Sequence, residues 1–304
     1  MVALQIDLPQ NFLDEEEISG YLVTSQMKEV WAVELDLMAQ LDRVCRENGL
    51  TYFAGAGTLL GAVRHHGFIP WDDDMDFYML REDYNKLISL ANEFKEPYFL
   101  QNTYTEPVTA MAFSRLRNSR TMAGSFKSLT LDMNNGIFID IFPLDGVNED
   151  SFKNGIQKIK NYYYLSCIRN ITFDFRGFSK KKALKRLFAN VFISVLSKKD
   201  RIKYFRKYED NLSKYSTKDS AMWGNRTIVF ECPKSRRPLE DWHSIERVPF
   251  EFTEIPVPTN AHEILKQQYG DYMTFPSDKK SGKMHQDLII STDNAYQNIG
   301  RKAQ

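Results

Sequence analysis

The stretch Gly57–Met79 reads GTLLGAVRHHGFIPWDDDMDFYM. Four carboxylates, Asp72, Asp73, Asp74 and Asp76, fall within five residues of one another between Trp71 and Phe77. An unpaired carboxylate in apolar surroundings is costly, so such a cluster either lies in solvent or holds a cation. Strand geometry reconciles the acids with their neighbours. Residues two apart on a strand share a face, about 6.6 Å apart along the backbone. A strand over 74–80 that begins early enough puts Asp72, Asp74 and Asp76 on one face and turns Asp73 away. Met75, Phe77 and Met79 then enter the core behind them. Carboxylates at that spacing suit a hard cation such as Mg²⁺ or Mn²⁺. Two such ions about 3.5–4 Å apart can clamp an in-line displacement at phosphorus.

On the N-terminal side, LTYFAGA (50–56) reads as a short buried strand, followed by the turn Gly55-Ala56-Gly57-Thr58. Thr58 has the side chain of an N-cap, for a short helix through Val63. A glycine turn lets the backbone approach a phosphate, and a helix N-terminus supplies unpaired N–H groups. Gly57 and Thr58 are therefore candidates for a phosphate cradle. Arg64 and His65, one helix length on, and Arg115 and Arg117, on one face of a later strand, are candidates for neutralising a diphosphate. A third acid comes from GIFIDIFPLDG (136–146), where Asp140 stands alone between Ile139 and Ile141. Interior acids are rare without a partner. Asp145 is assigned to the Asp-Gly turn that follows.

Farther out, Val23, Met27, Val30, Leu37, Leu41 and Val44 recur at helical steps, predicting a helix over 15–48 stopped at Asn48-Gly49. REDYNKLISLANEF (81–94) reads as helix, and 98–102, 111–117 and 136–142 as strands. The alternation points to an α/β or α+β core. Residues 151–214 read as helical and basic, 215–258 as irregular and proline-rich, and AHEILKQQYG as a last helix ended by Gly270. The expected division is a catalytic core over 20–150 and a mainly helical lobe over 151–304. Between 151 and 207 there are sixteen Lys or Arg against Asp174 and Asp200. That excess fits a solvated helical face or an anionic partner. The apolar stripe within 176–207 (Leu184, Leu187, Phe188, Val191, Val195) is expected to pack on the core, the alternative being peripheral contact with anionic lipid.

Several classes are excluded. The three cysteines are far apart, which argues against a disulfide framework and a zinc site. No signal-peptide pattern and no apolar run of ~18 residues is present, so a cytoplasmic location is expected. Leu60 stands where a dinucleotide fingerprint needs glycine, no Gly-Lys-Ser/Thr follows, and there is no Gly-x-Ser-x-Gly elbow. No nucleic-acid partner is expected.

A strand, Gly-x-Gly-Thr, a helix, Asp-x-Asp and a later third acid together resemble the nucleotidyltransferase fold, with Gly57-Thr58 where Gly-Ser is usual. The longer wording of 57–79 closely resembles the LicD family of phosphotransferases. RLRNSRT (115–121), GIFIDIFPLDG (136–146), YGDYMTFP (269–276) and His285 resemble further stretches of that family in the same order. The resemblance implies an α+β fold, a nucleotidyltransferase-type mixed sheet flanked by helices with a helical basic second lobe. It implies a donor that is a CDP-activated alcohol, in the best-known members CDP-choline. The acceptor would be a sugar hydroxyl of a cell-surface glycan or its lipid-linked precursor. Carried over residue by residue, Asp74 and Asp76 would be metal ligands for Mg²⁺ or Mn²⁺. Asp140 would be the third ligand and the base, and Gly57, Thr58, Arg64, His65 and Arg117 would hold phosphate. The alternatives are a nucleotidyltransferase acting on a small molecule, transfer of phosphoethanolamine, glycerol phosphate or ribitol phosphate, and a non-enzymatic binding module.

Overall fold

The computed structural model of the chain describes residues 1–148, 150–169, 198–215, 220–227, 236–242, 244–275 and 288–296. The first half contains β1 (Glu16–Ile18), β2 (Tyr21–Val23), α1 (Ser25–Asn48), β3 (Phe53–Ala54), α2 (Ala56–His65), β4 (Asp76–Leu80), α3 (Arg81–Ser89), β5 (Tyr98–Gln101), β6 (Ser114–Asn118), β7 (Met122–Gly124), α4 (Phe126–Leu129) and β8 (Ile137–Val147). The second contains α5 (Ser151–Arg169), α6 (Lys198–Leu212), β9 (Met222–Asn225), β10 (Arg237–Pro238), β11 (Ile245–Phe250), β12 (Thr253–Pro258), α7 (Ala261–Tyr269) and β13 (Ile289–Ser291).

The run IFIDIFPLDGV is apolar except at two acids, and β8 is accordingly buried along its whole length, as a strand covered on both faces should be. It is the spine of a seven-stranded mixed sheet. Along one edge it pairs in parallel with β4, which pairs with β3. Along the other it pairs with β6 in its first half and with β9 in its second. Strands β5 and β10 complete the two branches. The fold is α+β, with helices packed on a mixed sheet.

Helix α1 is buried from Val30 to Met38, polar positions included. Its inner side packs on β8 and β6, while the N-terminal segment crosses its outer side, where Gln5 and Ile6 donate backbone N–H groups to Asp36. Tyr98 donates its hydroxyl to the same carboxylate at 2.6 Å. The two halves of the chain share one core: Trp242 stacks on Phe53, and Phe250 meets Phe68, which stacks on Trp31. Helices α5 and α6 build a smaller cluster from Leu165, Ile168, Phe205, Tyr208 and Leu212, joined by Ala110 and Ala112.

The structure corrects four local expectations. The helix predicted over 15–48 begins at Ser25, because Ser19 and Gly20 both take positive φ and form a two-residue hairpin turn between β1 and β2. Thr24 then caps α1 by accepting from the Met27 N–H. Thr58 is not an N-cap: Gly55 holds that place, and α2 runs on to His65. Residues 215–258 are not irregular throughout, since β9 and β10 join the sheet and β11 pairs with β12. Pro238 lies in the peripheral β10, and Pro249, Pro256 and Pro258 lie in the separate β11–β12 hairpin. Asp145 belongs to β8 and not to a turn. The apolar stripe expected at 184–195 lies outside the described residues, as does most of the segment 176–207; only the end of that segment, from Lys198, falls in α6.

Asp145 is 1% exposed and accepts from Nε and Nη2 of Arg81 at 2.7 and 2.6 Å, tying the start of α3 to the spine. Removing one member strands a buried charge, whereas removing both does not. Asp145→Ala should therefore lose about 3–5 kcal/mol of stability in urea unfolding. The Arg81→Met/Asp145→Leu pair should recover most of the loss. A single-variant loss below about 1 kcal/mol would contradict the burial of this pair.

Candidate active site

The acids gather where β3, α2, β4 and β8 meet. Strand β4 starts only at Asp76, so Trp71–Met75 form a loop and not the early strand that would alternate side chains. The consequence for Asp73 is a correction. It does not turn away: Asp72, Asp73 and Asp74 each bring a carboxylate oxygen within 4.8 Å of the others, all half-buried. Among the described residues this is the group of acids placed to hold a metal ion.

Four hydrogen bonds from separate elements fix this loop and the strand it enters. Trp31 of α1 donates its indole N–H to the Asp72 carbonyl at 2.9 Å. The Thr58 hydroxyl of α2 accepts from the Asp76 N–H at 2.7 Å. The Gly55 N–H donates to the Asp76 carbonyl at 2.9 Å, and the Asp140 N–H to the Met75 carbonyl at 2.8 Å. Gly57 lies against the loop so closely that a Cβ there would fall 2.7 Å from Oδ2 of Asp72. Gly57 and Thr58 thus stand beside the acids, with the Thr58 oxygen engaged by Asp76.

Asp76 and Asp140 face each other across the parallel β4–β8 pair, and Arg115 faces Asp140 from β6. Arg115 donates from Nε to Asp140 at 2.7 Å while its guanidinium lies 3.9 Å from the centre of the Phe138 ring. Burial, and then the charges of Asp74, Asp140 and Asp72, hold Asp76 well above the usual carboxylate range; Arg115 opposes them. Glu34 of α1 is also raised, by burial first and then by Asp74, Asp73, Asp72 and Asp140. The sequence reading missed Glu34, although an acid between Val33 and Leu35 on the buried face of α1 was a visible signal. Every ligand atom these side chains offer is a carboxylate oxygen, the donor chemistry of a hard cation.

The basic candidates are differently placed. Arg64 donates from Nε to Nε2 of His65 at 3.0 Å and from Nη1 to the Tyr272 carbonyl at 2.8 Å, and its guanidinium covers Phe275. His65 packs against Trp71 and Phe275. The end of α2 therefore clasps the stretch 269–275. Arg117 is 1% exposed, and its guanidinium is taken by Gln101 and the Gly136 carbonyl beside Phe138. Burial first, and then Arg115, push its pKa down to about 9. Arg115 and not Arg117 reaches the acids. His285 lies outside the described residues.

A family model described as LicD/FKTN/FKRP, nucleotidyltransferase domain, matches residues 49–166. Over 269 residues the chain is 30% identical to the lipopolysaccharide cholinephosphotransferase LicD of Haemophilus influenzae, covering 85% of this chain and 96% of that protein. An uncharacterized protein of Rickettsia prowazekii is 34% identical over 85 residues, which is 28% of this chain and 30% of its own. One of Rickettsia typhi is 40% identical over 60 residues, 20% and 19% respectively. Nearly the whole of the Haemophilus protein is covered, and the family model spans α2, β4 and β8 with their acids: the chain belongs to the LicD family.

Proposed function

We propose that the protein transfers phosphocholine from CDP-choline to a sugar hydroxyl of a cell-surface glycan, such as lipopolysaccharide, or of its lipid-linked precursor. The observation that carries this reading is the convergence of Asp72, Asp73 and Asp74 with Asp76 and Asp140 at the start of α2. The name of the Haemophilus relative supports the head group and the acceptor. The fold is read as nucleotidyltransferase-type, with the catalytic core over 20–150 and the remainder packed on it. A Mg²⁺ or Mn²⁺ ion held by Asp74, Asp76 and Asp140 would, when bound, supply positive charge to the diphosphate.

In the proposed transfer the sugar oxygen attacks the phosphorus that bears choline, the bond to the bridging oxygen breaks, and CMP leaves. Asp140 takes the proton of the attacking hydroxyl. Arg115 orients that carboxylate, which works by position more than by basicity. Gly57 lets the backbone at the start of α2 approach phosphate, and the helix N-terminus faces its charge. Arg64 and His65 contribute through the stretch 269–275 that they clasp, closing the site beside Trp71.

For the acceptor, α5 exposes Phe152, Ile156 and Ile159 on one face, with Lys153 and Lys160 beside them. An apolar stripe edged by lysines suits peripheral contact with an anionic membrane carrying a lipid-linked glycan. No helix among the described residues is long and apolar enough to cross a membrane. The protein should co-sediment with vesicles rich in anionic lipid at low salt, and Phe152→Ser/Ile159→Ser should bind at least several-fold less. Equal binding to neutral vesicles removes this contact from the reading.

The reaction itself is tested by incubating the protein and Mg²⁺ with CDP-choline, CDP-ethanolamine, CDP-glycerol and CDP-ribitol and measuring CMP release. CDP-choline should be preferred; a product labelled with the nucleotide would instead favour nucleotidyl transfer. Asp140→Asn should keep donor affinity by calorimetry and lose transfer by more than about tenfold, or ~1.4 kcal/mol of barrier. Asp74→Asn should lose both. Asp140→Asn that retains transfer within tenfold removes the base assignment.

The clasp has a pH dependence. Burial first, then Arg64 and His66, push His65 down to about 4, whereas an unfolded imidazole titrates near 6.5. The fold disfavours the protonated ring, so stability present above about 6.5 is lost as pH falls toward 4. His65→Gln keeps an acceptor for Arg64 but cannot be protonated. Its melting temperature should fall less than that of wild type over this window; parallel falls would clear His65.

A further inference from the structure

Glu34 stands in the middle of α1 at 1% exposure, and its Oε2 has no hydrogen-bond partner. Buried carboxylates without partners are rare because the lost hydration is not replaced. Its surroundings raise the cost: beyond burial itself, the charges of Asp74, Asp73, Asp72 and Asp140, all of the same sign, act against its ionised form. Packing does not ask for an acid here. Trp31, Ala32, Val33 and Leu35 around it are buried apolar residues, and a leucine would continue their pattern. A narrow cavity joins Glu34 to Asp73, walled by Val30, Ala123, Ile137 and Phe138. Asp73 stands half-buried in the acid loop, so one carboxylate of α1 and one of the loop line the same cavity.

We propose that Glu34 and Asp73 form a further cation subsite on the α1 side of the acid loop, taking a hard divalent ion such as Mn²⁺ or Mg²⁺. The inference rests on the reading of the acid cluster as a cation site, and adds a helix and two carboxylates to it. A divalent ion between them supplies the charge that Glu34 lacks, and water from the loop side completes its oxygen shell. The subsite also links α1 directly to the loop that Trp31 already holds through its backbone.

Mn²⁺ binding, measured by calorimetry and by the electron paramagnetic resonance of free Mn²⁺, tests this without any turnover. Wild type, Glu34→Gln, Asp73→Asn and Asp74→Asn are compared at neutral pH, each also melted in EDTA. Glu34→Gln and Asp73→Asn should each lose one equivalent of Mn²⁺, or weaken it at least tenfold. Glu34→Gln should melt higher than wild type in EDTA, because a buried charge is gone. Asp73→Asn decides the matter if Glu34→Gln does not fold. Wild-type Mn²⁺ binding by the Glu34 and Asp73 variants, with loss in Asp74→Asn, overturns this subsite and leaves the broader reading standing. Absence of Mn²⁺ binding by wild type overturns both.

Discussion

The parallel pairing of β4 with β8 sets Asp76 directly across from Asp140, and most of the site is arranged around that opposition. Adjacent strands run about 4.8 Å apart. Like charges at that distance repel by on the order of 3 kcal/mol at an effective dielectric near 20. The sheet meets this by placing Arg115 on the far side of Asp140, so that acid, acid and guanidinium lie in one row across three strands. A one-residue slip of β4 would turn Asp76 into the core and Phe77 out of it, which pins the register as firmly as the hydrogen bonds do. Thr58 and Gly55 reinforce it by bonding to the two backbone groups of Asp76. The same row leaves more negative than positive charge, and that imbalance is the physical argument for a cation.

Three of the arginines near the site are engaged by the surrounding structure. Arg81 is spent on Asp145, Arg117 on Gln101 and the Gly136 carbonyl, and Arg64 on the Tyr272 carbonyl. Each guanidinium lies against an aromatic ring, Tyr84, Phe138 and Phe275 respectively, so that a flat cation fills space as well as bearing charge. The basic residues near the acidic site thus have protein partners of their own.

Much of this was legible in the amino-acid order. The apolar run after Asp76 and the isolated Asp140 locate two strands and set these two acids side by side, although β4 begins only at Asp76 and the acids before it lie in a loop. The α1 stripe and its Gly49 stop were equally plain, and Gly49 does take the left-handed conformation that ends the helix. What stayed hidden depends on contacts distant in sequence. Thr58 looks like a helix cap until β4 is laid beside it. Asp73 converges with its neighbours because the Trp31 indole holds Asp72 in a loop 41 residues away. Arg115 and Arg117 are equivalent by periodicity, and only the pairing of β6 with β8 gives one of them to Asp140. Glu34 differs: its place between Val33 and Leu35 was visible in the sequence, but its nearness to the acid loop shows only when α1 is packed on the sheet.

The clasp of Arg64 on Tyr272 spans 208 residues, and β13 returns to pair with β7. Such contacts cannot form on a nascent chain until its last segments leave the ribosome, and long closures are slow even on a complete one. The acids Asp72, Asp73, Asp74, Asp76 and Asp140 all precede that clasp in the chain. Roughly 130 residues separate Asp140 from Tyr272, on the order of ten seconds of synthesis at about 5–20 residues per second. In the first part of that interval, until β9 is made, the strands carrying the acids have their partners β3 and β6 while the edge of β8 meant for β9 stands open. The growing polypeptide therefore passes through a stage with a half-built sheet and an exposed strand edge, a consequence of how late β9 falls in the chain.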